Sequence, residues 1–373
     1  MKRLFRFIAA LSLMAAASAQ VSAYTTTSCG SGDVSWSSKF RYLYAYTGSF
    51  PSGSSYRTAL EEAVDRLNDN ASGFTFYIIY TSTAPALGNG RSEVWIENIS
   101  PPGVTNYWWN GSCNMTEADI RMDSSVTWTT SIVKTTNFNY GGSGRPFQTT
   151  LLHELGHAIG LGHEADEYNI MGQDWDHIHT NGNYSRAYFG EDASDGSVYL
   201  YGAGSGQDLG VVHWKWTGAS GAYSAHGRTR LLDPSTGSEL SYTVVGGERR
   251  YNVVRGQNVR MELTYENNGN SYQYQDVNYY ISTNSTVSTW DTLLASRNLG
   301  LSPDNVYTST YDVTIPSNVS CNTPHWLGAV MDPDGSVSEL AEWNNATYIP
   351  VYVNWTFSCL VITPTLEVTP IQP

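Results

Sequence analysis

His153 and His157 stand four residues apart with Glu154 beside the first, and Gly160 and His163 complete the spacing H-E-x-x-H-x-x-G-x-x-H. No other stretch constrains the fold as tightly. Residues four apart share one face of an α-helix, so the two rings meet if the segment from Thr149 to Gly160 is helical. Leu151, Leu152, Leu155, Ala158 and Ile159 give that helix its apolar side. Gly160 can take the backbone conformation that ends a helix and turns the chain back, which brings His163 to the same point from another side. Three neutral imidazoles leave a tetrahedral Zn²⁺ one open position, the arrangement of a catalytic rather than a structural site. Zinc lowers the pKa of a bound water toward about 7. Glu154 reaches that water without occupying the metal, and is the candidate general base for attack on a scissile carbonyl.

The chain opens with Lys2, Arg3 and Arg6, a short apolar run to about Ala17, and small residues before Tyr24. This pattern predicts a signal peptide over residues 1–23, with cleavage after Ala19 as the alternative. Nothing later supplies the roughly 20 apolar residues of a spanning helix. The mature chain is therefore expected to be secreted, either extracellular or at the cell surface. With three fewer cations than the 20 of the full sequence, against 34 acidic residues, its charge is near −17. So acidic a surface argues against nucleic-acid or anionic-membrane partners.

Ser54 to Asn70 carries Ala59, Leu60, Ala63, Val64 and Leu67 at helical spacing, with Ser55 as the expected N-cap and Glu61 and Glu62 placed to suit the helix dipole. Phe74 to Tyr80, Glu93 to Glu97 and Ala118 to Met122 read as strands. Gly202 to Gly206 reads as a flexible linker. Beyond it the helical period vanishes, and short apolar runs between turn-rich stretches, such as Val259 to Tyr265 and Trp326 to Met331, predict a β-sandwich. The Pro-rich end is expected to be a disordered tail. The expected division is residues 24–204, 205–358 and a tail over 359–373. Cys29, Cys113, Cys321 and Cys359 allow three pairings; Cys29 with Cys113 and Cys321 with Cys359 is favoured, since each pair then lies within one half.

With these residues in view, residues 24 to about 204 resemble the matrixin-like metzincin zinc proteases, for which the eleven-residue pattern is the signature. Met171, eight residues after His163, is similar to the methionine turn that floors the zinc in that family. Ala118 to Met122 is similar to the strand ahead of the catalytic helix, and the resemblance implies an antiparallel edge strand along which substrate peptide lies. Glu191 to Gly202 resembles the closing C-terminal helix. The fold implied is α+β: a metzincin-type catalytic domain, a twisted mixed sheet with an active-site helix, followed by an all-β immunoglobulin-like sandwich. The His/Asp-rich segment of a second metal site is absent, and of the latency motif only Ser28-Cys29-Gly30 is present, so a disulfide is favoured for Cys29.

The second half resembles the cell-adhesion-related bacterial domain called CARDB, through Asp208 to Val211, Tyr265 to Gly269, and Asp332 to Asn345. Asp332, Asp334, Glu339 and Glu342 suit Ca²⁺ by chemistry, but Asp-x-Asp-Gly is also a common β-turn, and the turn is favoured. His177 and His179 are expected at the surface, and Tyr184 and Tyr188 as packing aromatics rather than aids to an oxyanion. Asn70, Asn110 and Asn284 head glycosylation sequons. The function expected is a zinc-dependent endopeptidase acting on protein or peptide substrates. Its C-terminal half would engage a surface or matrix ligand. The alternative is an extracellular adhesin acting through that half, with a vestigial protease domain.

Overall fold

A computed structural model describes residues 24–134, 144–164, 170–172, 178–215, 227–246, 248–303 and 305–355. The predicted signal peptide and tail, His177 and Cys359 lie outside the described residues.

Five strands, β1 (Phe40–Tyr46), β2 (Thr75–Thr81), β3 (Glu93–Glu97), β4 (Gly103–Trp109) and β5 (Met115–Asp123), form one sheet in the order β2-β1-β3-β5-β4. All neighbours are parallel except β4, which runs antiparallel to β5. The edge strand is thus β4 and not the 118–122 segment. The burial pattern gives the reason: β5 is buried along most of its length and sits inside the sheet, whereas β4 grows exposed toward Trp108 and Trp109.

Helix α1 (Ser55–Asn68) buries the five expected apolar residues. Its N-cap is Ser54, not Ser55: Ser54 keeps an extended backbone and its side chain accepts from the Arg57 N–H. The first turn holds no acid. Glu61 instead pairs with Arg57 at 3.2 Å and accepts from the Tyr80 hydroxyl at 2.7 Å. Asn70 is buried below the helix end, donating to the carbonyls of Leu67 and Phe74.

Two short ladders flank helix α2 (Phe147–Ala158). One joins β6 (Trp128–Thr129) to β7 (Arg145–Pro146), and the other is the hairpin of β8 (Ile178–Asn181) and β9 (Tyr184–Ala187); helix α3 (Glu191–Tyr201) follows. The expected disulfide joins Cys29 to Cys113, tying the N-terminal segment to the loop beyond β4. Cys321 is also disulfide-bonded.

The second half is all β: β10 (Leu209–Val212), β11 (Trp214–Lys215), β12 (Gly227–Arg228), β13 (Leu231–Leu232), β14 (Tyr242–Val245), β15 (Glu248–Val253), β16 (Asn258–Asn267), β17 (Gln273–Ser282), β18 (Thr292–Leu301), β19 (Asn305–Thr314), β20 (Thr323–Met331) and β21 (Ala346–Val353). One sheet is built on β16, which pairs with β10, β13 and β19; the other runs β14-β15-β21-β20-β17-β18. Val211, Val259, Leu263, Val277, Leu327 and Val351 from both sheets share one core.

The two halves are packed together. Tyr280, Val287, Val330 and Tyr348 join the core of the first half rather than that of the sandwich. Thr347 donates to the Thr180 carbonyl at 2.8 Å, Gly182 N–H to the Ser285 carbonyl at 2.7 Å, and Asn181 exchanges two hydrogen bonds with the backbone of Val287. His179 is consequently buried, against expectation, with its Nε2 3.2 Å from the Val211 carbonyl oxygen and its ring edge-on to Trp343. Tyr188 is buried in the same seam, while Tyr184 is exposed. The glycine-rich 202–206 segment is docked rather than loose. Lys39 donates to the carbonyls of Gly202 and Ala203, Gly204 N–H donates to the Ala71 carbonyl, and a Cβ on Gly206 would strike the Leu340 side chain. Among the described residues no helix is long and apolar enough to cross a membrane.

Candidate metal centre

Helix α2 begins two residues before the expected start, at Phe147, and is buried along every residue except His153 and His157. Its polar opening is therefore the i, i+4 face alone. The helix stops where three carbonyls find outside donors: the Trp36 indole N–H reaches the Ala158 oxygen at 2.8 Å, the Tyr201 hydroxyl that of Ile159, and the Thr27 N–H that of Gly160 at 2.8 Å. Gly160 has φ +102°, and a Cβ there would lie 2.2 Å from the Val34 carbonyl oxygen, so only glycine makes this turn. The reversed chain returns His163, whose carbonyl accepts from the Thr25 hydroxyl at 2.7 Å.

The three rings converge. Nε2 of His153 lies 3.1 Å from Nε2 of His157 and 3.2 Å from that of His163. Nδ1 of His153 faces the Ile170 carbonyl oxygen at 2.9 Å, and Nδ1 of His157 that of Leu161 at 2.8 Å. Each Nδ1 accordingly carries the proton, and each Nε2 presents a bare lone pair. Lone pairs this close repel unless a cation lies between them. Four ligands placed about 2.1 Å from a tetrahedral zinc are roughly 3.4 Å apart, close to the spacing seen. Burial pushes the His153 imidazole down to about 3 and His157 to about 4, with neighbouring rings adding to the effect, and it also lowers the more exposed His163. Neutral imidazole is the form that binds metal.

Met171 closes the site from below. A Cβ on Gly156, between the two helix histidines, would sit 2.3 Å from the Met171 sulfur, so the glycine lets the methionine pack directly on the helix. The Glu164 N–H donates to the Met171 carbonyl at 3.1 Å, tying the His163 segment to that turn.

Glu154 points the other way, toward β4. Thr105 Oγ1 lies 2.8 Å from Glu154 Oε2 and 2.9 Å from its carbonyl oxygen, and a Cβ on Gly103 would lie 2.7 Å from Oε1. Burial pushes the Glu154 carboxyl up to about 7, against the pull of the Thr105 hydroxyl and the Arg145 charge. Pro102, Gly103, Arg145, Glu154, His163 and Gly172 line a cleft of about 350 Å³ in front of the cluster. Gly103, Thr105 and Arg145 were not legible beforehand as site residues. They reach Glu154 only through the sheet and the helix start, and their one local signal is the Pro-Pro-Gly that opens β4.

Residues 108–201 match the matrixin family model. Residues 242–348 match that of CARDB. The matrixin segment contains all three histidines, Glu154 and Met171, but not Gly103 or Thr105. Matrixins are zinc metalloproteases, and the histidine cluster is compatible with that metal. No curated protein matches the chain. Among solved structures, a CARDB domain from Pyrococcus furiosus, in complex with di-metal ions, is 18% identical over 40% of this chain and 89% of its own, with a TM-score of 0.25. The sporulation control protein of Bacillus subtilis is 9% identical over 40% of this chain and 50% of its own, with a TM-score of 0.21.

Of the four carboxylates that suit Ca²⁺, Asp332, Glu339 and Glu342 accept hydrogen bonds from the protein, Glu342 from Asn345 at 3.2 Å. Asp332 accepts from Ser336 and Val337, and Glu339 from the Leu209 N–H and from Asn345. The Gly335 N–H donates to the Asp332 carbonyl at 3.0 Å, so the Asp-x-Asp-Gly segment is a turn.

Proposed function

We propose that the chain is a secreted zinc-dependent endopeptidase with a metzincin-type catalytic domain over residues 24–204 and a sandwich over 205–358. The observation that carries the reading is the convergence of three imidazole Nε2 atoms beside a buried carboxylate, in a cleft bordered by an antiparallel edge strand. His153, His157 and His163 would hold the metal, which supplies a Lewis acid that makes water nucleophilic near neutral pH. β4 offers its free edge to a substrate in extended conformation. Glu154 takes the proton of the attacking water and returns it to the departing amine, and Thr105 and Gly103 set the direction of its carboxylate. The sandwich, with its adhesion-type family match, would engage a surface or matrix ligand.

The test is zinc content and casein cleavage by the mature chain, with chelator and with Glu154→Gln. One zinc per chain is expected, with cleavage lost on chelation and reduced on the order of 10²- to 10⁴-fold in the variant, which keeps its zinc. A chain that binds no zinc, or a variant that cleaves as well as the parent, removes the proposal. If Glu154→Gln left a cell-surface effect of the protein intact, the adhesin reading would replace it.

A further inference from the structure

A second convergence of oxygen atoms lies at the seam between the halves, far along the chain from the histidines. Asp208, just ahead of β10, is buried; its Oδ1 accepts from Asn344 Nδ2 at 3.0 Å and its Oδ2 from Asn268 Nδ2 at 2.9 Å. Glu266, near the end of β16, is fully buried and accepts from the Tyr188 hydroxyl at 3.2 Å. The Asn344 amide and the Glu266 carboxylate crowd the same bare position: a Cβ on Gly210 would lie 3.6 Å from Asn344 Nδ2 and 3.7 Å from Glu266 Oε2. Asn268 and Asn344 are each 2% exposed, and the Oδ1 of each has no hydrogen-bond partner. Arg66, which lines the same small cavity as Asp208, Asn344 and Trp343, pairs with Asp69 at 3.4 Å.

A buried carboxylate whose hydrogen bonds come only from neutral amides is costly, and so is a buried amide oxygen with no donor. One cation relieves both. We propose that Asp208, Glu266, Asn268 and Asn344 form a calcium site that fastens the sandwich to the first half. A half-turn about the last side-chain bond exchanges the oxygen and nitrogen of each amide. Asn344 and Asn268 then present oxygens about 3 Å from those of Asp208, the separation of ligands that share an ion at roughly 2.3–2.6 Å. Calcium takes six to eight such oxygens in irregular geometry, whereas magnesium demands an octahedron and keeps its waters, so the uneven carboxylate and amide set favours calcium. Tyr188, from the first half, touches Glu266 directly, so the ion would sit where the halves meet.

The test uses the full chain in calcium-free buffer at pH 8, titrated with CaCl₂ and followed by thermal melting. Saturating calcium is expected to raise Tm by about 5 °C, as ligand in large excess over its Kd does for a chain of this size. Terbium at the same site is expected to show luminescence sensitised by Trp343, lost in Trp343→Phe. Asp208→Asn abolishes the calcium response, while Asp334→Asn, in the neighbouring turn, and His153→Ala, in the histidine cluster, retain it. Should Asp208→Asn fail to fold, Glu266→Gln takes its place. A Tm that calcium does not move, or a response that survives both Asp208→Asn and Glu266→Gln, overturns the site.

Discussion

Gly156 shows how little room a single position leaves around the histidines. A methyl group there meets the Met171 sulfur at 2.3 Å, and Met171 is itself buried. Gly156→Ala is expected to cost about 1–3 kcal/mol through overpacking. Ile170, whose carbonyl orients His153, precedes Met171 directly, so zinc affinity should fall as well. Denaturant unfolding and a zinc competition titration check this, and an unchanged midpoint with unchanged affinity would contradict it. The pattern H-E-x-x-H-x-x-G-x-x-H displayed the two helix ligands, the third histidine and the carboxylate because each depends on local helical spacing and one turn. Gly103 and Thr105 were not displayed, because they meet Glu154 from a strand some 50 residues away.

The element that decides how a peptide would lie in the cleft is β4. It begins at Gly103, against the Glu154 carboxylate, and ends at the exposed Trp108 and Trp109, with one edge paired to β5 and the other open. Its seven residues at about 3.3 Å each span roughly 23 Å, enough for an extended substrate to make backbone hydrogen bonds on one side of the cut. N-methylation of substrate amides at alternate positions on that side should then lower kcat/KM by about 10-fold or more, while methylation of the intervening positions does little. A uniform effect at every position would argue against strand addition. The resemblance to the metzincin strand ahead of the catalytic helix implies this edge at Ala118 to Met122, within β5, whereas the structure has it at β4. Only the pairing shows which of the two is covered on both sides.

At the scale of the molecule, the seam between the halves carries a pH dependence of its own. Burial pushes the Asp208 carboxyl up to about 7 and that of Glu339 up to about 8. A carboxylate whose folded pKa is raised holds its proton better in the native chain than in the unfolded one. Its contribution is fully present below about pH 4 and is lost as pH rises through the folded value. His153, His157 and His179 act in the opposite sense: burial lowers their folded pKa, so their penalty grows as pH falls below about 6.5. The difference between parent and Asp208→Asn isolates the carboxylate. In chelator, the parent's Tm relative to the variant is expected to decline from pH 5 to pH 8. A flat difference would show that Asp208 is not buried as described.

From the sequence alone came the helix of the metal site, the turn at Gly160, the pairing of Cys29 with Cys113, and the passage from mixed to all-β structure near residue 204. The helix and the turn rest on spacing over a few residues, where the physics is local, while the pairing rests on each cysteine pair lying within one half and the passage on the change of pattern along the chain. The tertiary structure decided that β4 and not β5 is the edge, that His179 is buried, and that the 202–206 glycines are docked contacts instead of a free linker. It also decided that Asp208, Glu266, Asn268 and Asn344 share one buried place. Each of these depends on which surfaces meet between segments tens to hundreds of residues apart, and burial by a distant segment leaves no mark on the residues beside it in the chain.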